Sequence, residues 1–169
     1  MFSRISTILI VSIMLTAFGS VIDATADIEA NKAIVRSFFE ELVNQRKFAV
    51  ADEVFATDSV YKTSAYPDIS GTEGFKDFLT EHLIPFPDAH YTIDDIVAEE
   101  DKVAARWTFK ATHQDELMGI PPTGNQVMLT AISLFQIADG KIKIGWTSWD
   151  ALAMMQQVGA MPTEREVYT

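Results

Sequence analysis

The sequence predicts an α+β domain in which helices come first and an antiparallel sheet follows. Two observations carry this: apolar residues recur at helical spacing as far as about Leu83, and from Asp88 onward the period changes to two. A third is Asp139-Gly140, a dipeptide that favours a two-residue hairpin turn.

The chain has 169 residues, a formal charge of -11 and no cysteine. Arg4 precedes an uncharged apolar run from Ile5 to Phe18, and Ala24-Thr25-Ala26 follows, which is the pattern of a secretory signal peptide. The run is shorter than the ~20 apolar residues of a membrane span. Cleavage near Ala26 is therefore expected, giving a secreted or periplasmic protein; if uncleaved, the segment would be the only link to a membrane. The expected organisation is a signal peptide over 1–26, a single domain over 27–162 and a C-terminal tail over 163–169. Without cysteine, thiolate nucleophiles and thiolate metal sites are excluded. The acidic balance opposes phosphate backbones, so no nucleic acid partner is expected.

In the first helix Ile34, Val35, Phe38, Phe39, Leu42 and Val43 form one face, with Glu40, Glu41, Asn44 and Arg46 opposite. A second, short helix carries Val50, Val54 and Phe55 up to a break at Thr57-Asp58-Ser59. The third runs from about Thr72 with Phe75, Phe78 and Leu79 on one side, and Pro85 and Pro87 end it.

Tyr91, Ile93 and Val97 begin the alternating part, and Glu99-Glu100-Asp101 reads as a polar hairpin turn. Val103, Ala105, Trp107, Phe109, Ala111 and His113 then share one face of the next strand. Val127 to Ile137 is apolar at nearly every position, which predicts a strand covered on both faces. After Asp139-Gly140 the last strand puts Gly145, Thr147 and Trp149 on one face and Ile144, Trp146, Ser148 and Asp150 on the other. A closing helix carries Leu152, Met155 and Val158. A twisted sheet wrapped on helices leaves a concave pocket suited to a small ligand.

Few residues carry chemistry. His113, on the parity of Trp107 and Phe109, is a candidate acid or base, set against a structural role in the turn. Asp150 is a second candidate, set against capping the last helix. His82 and His90 lack a metal-ligand spacing, and no nucleotide or nucleophile-elbow motif occurs, so neither metal nor cofactor is expected.

The segments NKAIVRSFFEELVNQ, FATDSV, GTEGFKDFL, THQDELMGIPPTG, FQIADGKI and WDALAMMQQVG, in this order, resemble the SnoaL-like polyketide cyclases, of the nuclear-transport-factor-two-like cone folds. The resemblance implies a cone-shaped, strongly curved antiparallel sheet packed on N-terminal helices, a homodimer, and a deep apolar cavity. It also implies cofactor-free acid/base chemistry of the cyclisation or isomerisation type on an apolar small molecule, as in the polyketide and ester cyclases. The aspartate and histidine of the cyclases fall on Thr147 and Ser133 here. Three functions therefore compete: an enzyme using His113 or Asp150, a non-catalytic carrier or sensor, and a partner-binding domain using the face of Ile144 and Trp146. The expected ligand contacts are Trp107, Phe109, Ser133, Phe135, Thr147 and Trp149.

Overall fold

A computed structural model describes residues 27–162; the expected signal peptide and tail lie outside the described residues. The first helix, α1, covers 27–37 and continues, wound as a wider π-helix, over Phe38–Asn44. The wider turn keeps Phe38, Phe39, Leu42 and Val43 buried together on one side. A 3₁₀ turn at Phe48–Val50 leads into the single-turn α2, Ala51–Val54.

Strands β1 (Phe55–Thr63) and β2 (Tyr66–Ser70) follow, where the sequence predicts a helix end and a break. Their polar and turn-forming residues, Thr57-Asp58-Ser59 and Tyr66-Pro67-Asp68, hide the strand period. β2 is an edge strand, the place in a sheet where Pro67 is tolerated. Helix α3 (Gly71–Leu83) matches the prediction and ends before Pro85. Strands β3 (His90–Glu99), β4 (Lys102–Thr112), β5 (Gln126–Ala138) and β6 (Lys141–Trp149) complete the sheet, and α4 (Ala151–Gln157) closes the chain.

The strand order is β2-β1-β6-β5-β4-β3. The sheet is mixed rather than wholly antiparallel, because β1 runs parallel to β6. The two hairpin turns fall at the predicted sites, with Glu100 at φ 51° and the Asp139-Gly140 pair at φ 51° and 70°. Register shifts interrupt β1, β3 and the β5–β6 pair. Such bulges bend and twist the strands, which curls the sheet around α1 and α3.

Alternation decides what faces the helices. On β4, Val103, Ala105, Trp107, Phe109 and Ala111 are buried; on β5, the buried set is Val127, Leu129, Ala131, Ser133, Phe135 and Ile137. The expectation that β5 is covered on both faces is not met within one chain. Its other parity, with Met128 and Ile132 more than half exposed and Leu134 beside them, shares the outer face with Trp146 of β6.

Gly145 is a point of close approach. A Cβ there would lie 2.6 Å from Cδ2 of Tyr61, whose ring covers β6 at that residue. The Tyr61 ring is also held edge-on by Phe75 at 5.1 Å. We expect Gly145→Ala to lower stability by about 1–3 kcal/mol through overpacking, measured by denaturant unfolding; an unchanged midpoint would show that Tyr61 moves freely.

Candidate functional site

The curled sheet and the helices enclose a hollow of about 80 Å³. Phe38 and Phe39 of α1, Phe75 of α3, and Trp107 and Phe109 of β4 wall it with buried aromatic rings. The rings meet one another: Phe38 packs on Phe39 at 4.9 Å and on Phe75 at 5.6 Å, and Phe39 lies 5.8 Å from Trp107. The resemblance implies a deep cavity, but these side chains leave a narrow one. Sites for drug-sized ligands span about 300–1,000 Å³. A ligand beyond a few heavy atoms therefore enters only if wall residues move.

Those best placed to move line the opening. Thr63, Tyr66, Phe78, His82 and Trp149 face the hollow and are half-buried. Tyr66 of β2 meets Phe78 edge-on at 5.2 Å, and Phe78 stacks on His82 at 5.3 Å, one helical turn along α3. Across the opening the Trp149 indole donates to Thr63 Oγ1 at 3.1 Å.

A hydrogen-bonded chain runs beneath the apolar wall. Trp107 Nε1 donates to Ser133 Oγ at 2.9 Å, Ser133 Oγ lies 2.7 Å from Thr147 Oγ1, and Thr147 Oγ1 lies 2.5 Å from the Tyr61 hydroxyl. Pairing in the sheet builds it: Ser133 faces Thr147 across β5 and β6, Thr147 faces Thr63 across β6 and β1, and Ala105, one pleat from Trp107, faces Ser133. Four hydrogens serve three bonds. The indole can only donate, so one hydroxyl hydrogen of the chain is left over. Ser133 is sealed, whereas Tyr61 and Thr147 line the hollow. Leaving the surplus hydrogen on Ser133 would bury an unmatched donor, so it falls to Tyr61 or Thr147, the two members of the chain that line the hollow.

Tyr91 adds a second hydroxyl there. Its hydroxyl has no side-chain partner among the described residues, its backbone is held by the Asn44 amide, and its ring sits 5.3 Å from Trp107. Burial pushes the pKa of Tyr91 and Tyr61 above the usual phenol range, against weaker opposing hydrogen bonds at Tyr61 from Thr147 and Ser133. Both phenols stay protonated and act as donors at neutral pH. His82 is held down to about 4 by desolvation against the rings around it. The folded state therefore disfavours the imidazolium: the stabilising effect of a neutral His82 is present above the ordinary 6.5 and is lost as pH falls through about 4.

Of the expected site residues, Trp107, Phe109, Thr147 and Trp149 line the hollow. Ser133 and Phe135 lie behind the lining, fully buried, Ser133 as a link of the chain and Phe135 against Phe38 at 5.4 Å. The expected acid/base residues stand elsewhere. His113 is fully buried but outside the hollow: its Nδ1 meets Thr123 Oγ1 at 3.0 Å, its ring packs on Phe86, and Nε2 has no partner. Its backbone clamps the loop, with His113 N donating to Asn125 O and Gly124 N to His113 O, both at 2.9 Å. That is the structural role in the turn. Asp150 is exposed, and its carboxylate accepts from Ala153 N at 2.8 Å as the N-cap of α4. Among the lining residues that the sequence reading missed, Tyr61, Tyr66, His82 and Tyr91 carry ionisable groups. Tyr61 and Tyr66 belong to the strands hidden by polar residues, and His82 looks isolated until α3 is laid over the sheet.

No carboxylate lines the hollow among the described residues, and no three of His, Asp and Glu gather there as a metal cluster. Nor is any described helix long and apolar enough to cross a membrane.

A sequence model of the SnoaL-like polyketide cyclase family matches residues 33–158. The chain belongs to that family. Solved structures agree in fold: a protein from Jannaschia sp. CCS1 of the SnoaL-like polyketide cyclase type has a TM-score of 0.74 at 22% identity, covering 80% of this chain and 95% of its own. AclR from Streptomyces galilaeus has 0.72 at 26% (83% and 88% covered), and IdmH from Streptomyces antibioticus 0.68 at 28% (76% and 98%). No curated protein matches the chain.

Because Thr147 Oγ1 joins two buried hydroxyls, Thr147→Val keeps the shape but strands Ser133 and Tyr61. The expected loss is about 1–3 kcal/mol, read from urea unfolding with the slope unchanged; no loss would mean that the two hydroxyls find other partners.

Proposed function

We propose that this protein binds an apolar small molecule carrying an acceptor oxygen, a ketone or its enolate, in the cone cavity and acts on it by cofactor-free acid/base chemistry such as isomerisation or ring closure. The observation that carries this reading is the hydrogen-bonded chain Trp107–Ser133–Thr147–Tyr61, whose count leaves one hydroxyl hydrogen over and whose Thr147 and Tyr61 line a largely apolar hollow. In a low-dielectric site such a donor favours an acceptor, and favours it more as negative charge develops on it. Tyr91 of β3 adds a second hydroxyl to the lining. Membership of the SnoaL-like polyketide cyclases supports the reaction class by analogy.

A non-catalytic carrier is the second reading. It is favoured by Thr147 and Ser133 standing where the resemblance implies an aspartate and a histidine, and by the lack of a carboxylate in the described lining. The two readings share the binding step and part at turnover.

Export and pairing are part of the proposal. The support for pairing is the outer sheet face, where Met128, Ile132, Leu134 and Trp146 are exposed in the single chain. Protein made in an exporting host should begin at Asp27 and scatter light as twice the chain mass; a start at Met1 together with a monomer mass contradicts both.

Cyclopentanone and methylenecyclopentane differ by an oxygen against a methylene and are small enough to probe the binding step. By ligand-observed NMR the ketone is expected to bind about 10-fold more tightly than the hydrocarbon, the worth of one hydrogen bond. Tyr61→Phe alone leaves the surplus hydrogen on Thr147, so Tyr61→Phe combined with Thr147→Val should remove most of that preference. Equal affinity for the two probes in the parent protein contradicts the reading.

A further inference from the structure

We infer that His82 is the general base of this site: its imidazole lines the opening of the same hollow whose inner wall presents the hydroxyl donors of Tyr61 and Tyr91. The inference rests on the binding reading above and adds the group that moves the proton. The described lining offers hydroxyls, aromatic rings and aliphatic chains, and His82 is its one side chain with a basic nitrogen.

The position of His82 is built rather than incidental. It lies in the last turn of α3, stacked on Phe78 at 22° between planes, with the Tyr66 ring edge-on at 6.3 Å. Neither ring binds its nitrogens, and no side-chain or backbone hydrogen bond to them occurs among the described residues. A helix C-terminus favours imidazolium, but burial against these rings wins and holds His82 down to about 4. The resting group is thus a neutral imidazole with a free lone pair. Bases of similar strength abstract protons beside a carbonyl when donors hold the enolate oxygen, as the aspartate of ketosteroid isomerase does.

The step balances within the site. The imidazole nitrogen takes a proton from the carbon next to the carbonyl, the C–H pair becomes the C=C bond of the enolate, and the carbonyl π pair moves to oxygen. The hydroxyl donors on the inner wall then stabilise that oxygen. The imidazolium, unfavourable alone in this environment, is offset by the enolate charge. It returns the proton to the same carbon, or to another position in an isomerisation. The polar groups that line the hollow with His82 are Tyr66 from β2, which packs edge-on against it, and Tyr61 and Thr63 from β1, Tyr91 from β3, and Thr147 and Trp149 from β6, none of them charged at neutral pH.

The test is exchange of the α-hydrogens of cyclopentanone in D₂O, followed by proton NMR with the mature protein. The parent protein should exceed the buffer rate, with a rate that falls as pH drops through about 4. His82→Phe, which keeps the stack on Phe78, and His82→Gln should both lose about 10²-fold or more of the acceleration at saturating cyclopentanone. Parent-like exchange in both variants overturns the assignment of His82. So does a parent protein that binds the ketone in preference to methylenecyclopentane without accelerating exchange, a result that leaves the binding reading standing as a carrier. Failure to prefer the ketone at all overturns both.

Discussion

The pairing of Ser133 with Thr147 across β5 and β6 is the constraint on which the site depends. It brings two short hydroxyl side chains within 2.7 Å inside an apolar core, where each must find partners or be stranded. Trp107 satisfies one end and Tyr61 the other, so four strands, β1, β4, β5 and β6, are tied to one polar chain. A slip of one residue in β6 would send Thr147 to the outer face and Trp146 inward. The hydrogen-bond chain thus fixes register and supplies the donor in a single arrangement.

Aromatic packing then sets the size of the hollow. The π-helical turn at Phe38–Asn44 presents Phe38 and Phe39 side by side to the sheet, where Phe55, Phe75 and Phe135 crowd them. Gly145 gives up its side chain so that the Tyr61 ring fits over β6. What remains open is narrow, and its half-buried rim of Tyr66, Phe78 and His82 belongs to an edge strand and the end of a helix. The inner wall is held from many sides and the rim from few, so enlargement for a bigger ligand falls to the rim.

Much of this was legible in the sequence. Helical spacing locates α1 and α3, alternation locates β4 and β6 with their inward faces, the apolar run locates β5 without its inward face, and Asp139-Gly140 marks the last hairpin. β3 is located too, but the register shift between Ile93 and Asp95 turns Val97, expected beside Tyr91 and Ile93, outward to 64% exposure. Alternation also puts Thr147 and Trp149 inward and Trp146 outward, as observed. The first two strands escaped because Thr57-Asp58-Ser59 and Tyr66-Pro67-Asp68 carry turn chemistry rather than a strand period, and with them went Tyr61 and Tyr66. The apolar outer face of β5 misled in another way, since periodicity cannot separate a surface awaiting a partner from one buried within the chain. His113 drew attention as a histidine on an apolar face, and its ring is spent on the 113–125 loop. His82 lies on the rim only because α3 crosses β2, a juxtaposition absent from local pattern.

A hydroxyl hydrogen of the Tyr61–Thr147 pair is expected to meet the ligand oxygen in the hollow. The infrared carbonyl stretch of ¹³C-labelled cyclopentanone bound to the protein reads this directly. A single band displaced to lower frequency than in alkane is expected, returning toward the alkane position when Tyr61→Phe and Thr147→Val are combined. A bound ketone with an alkane-like band in the parent protein would contradict it.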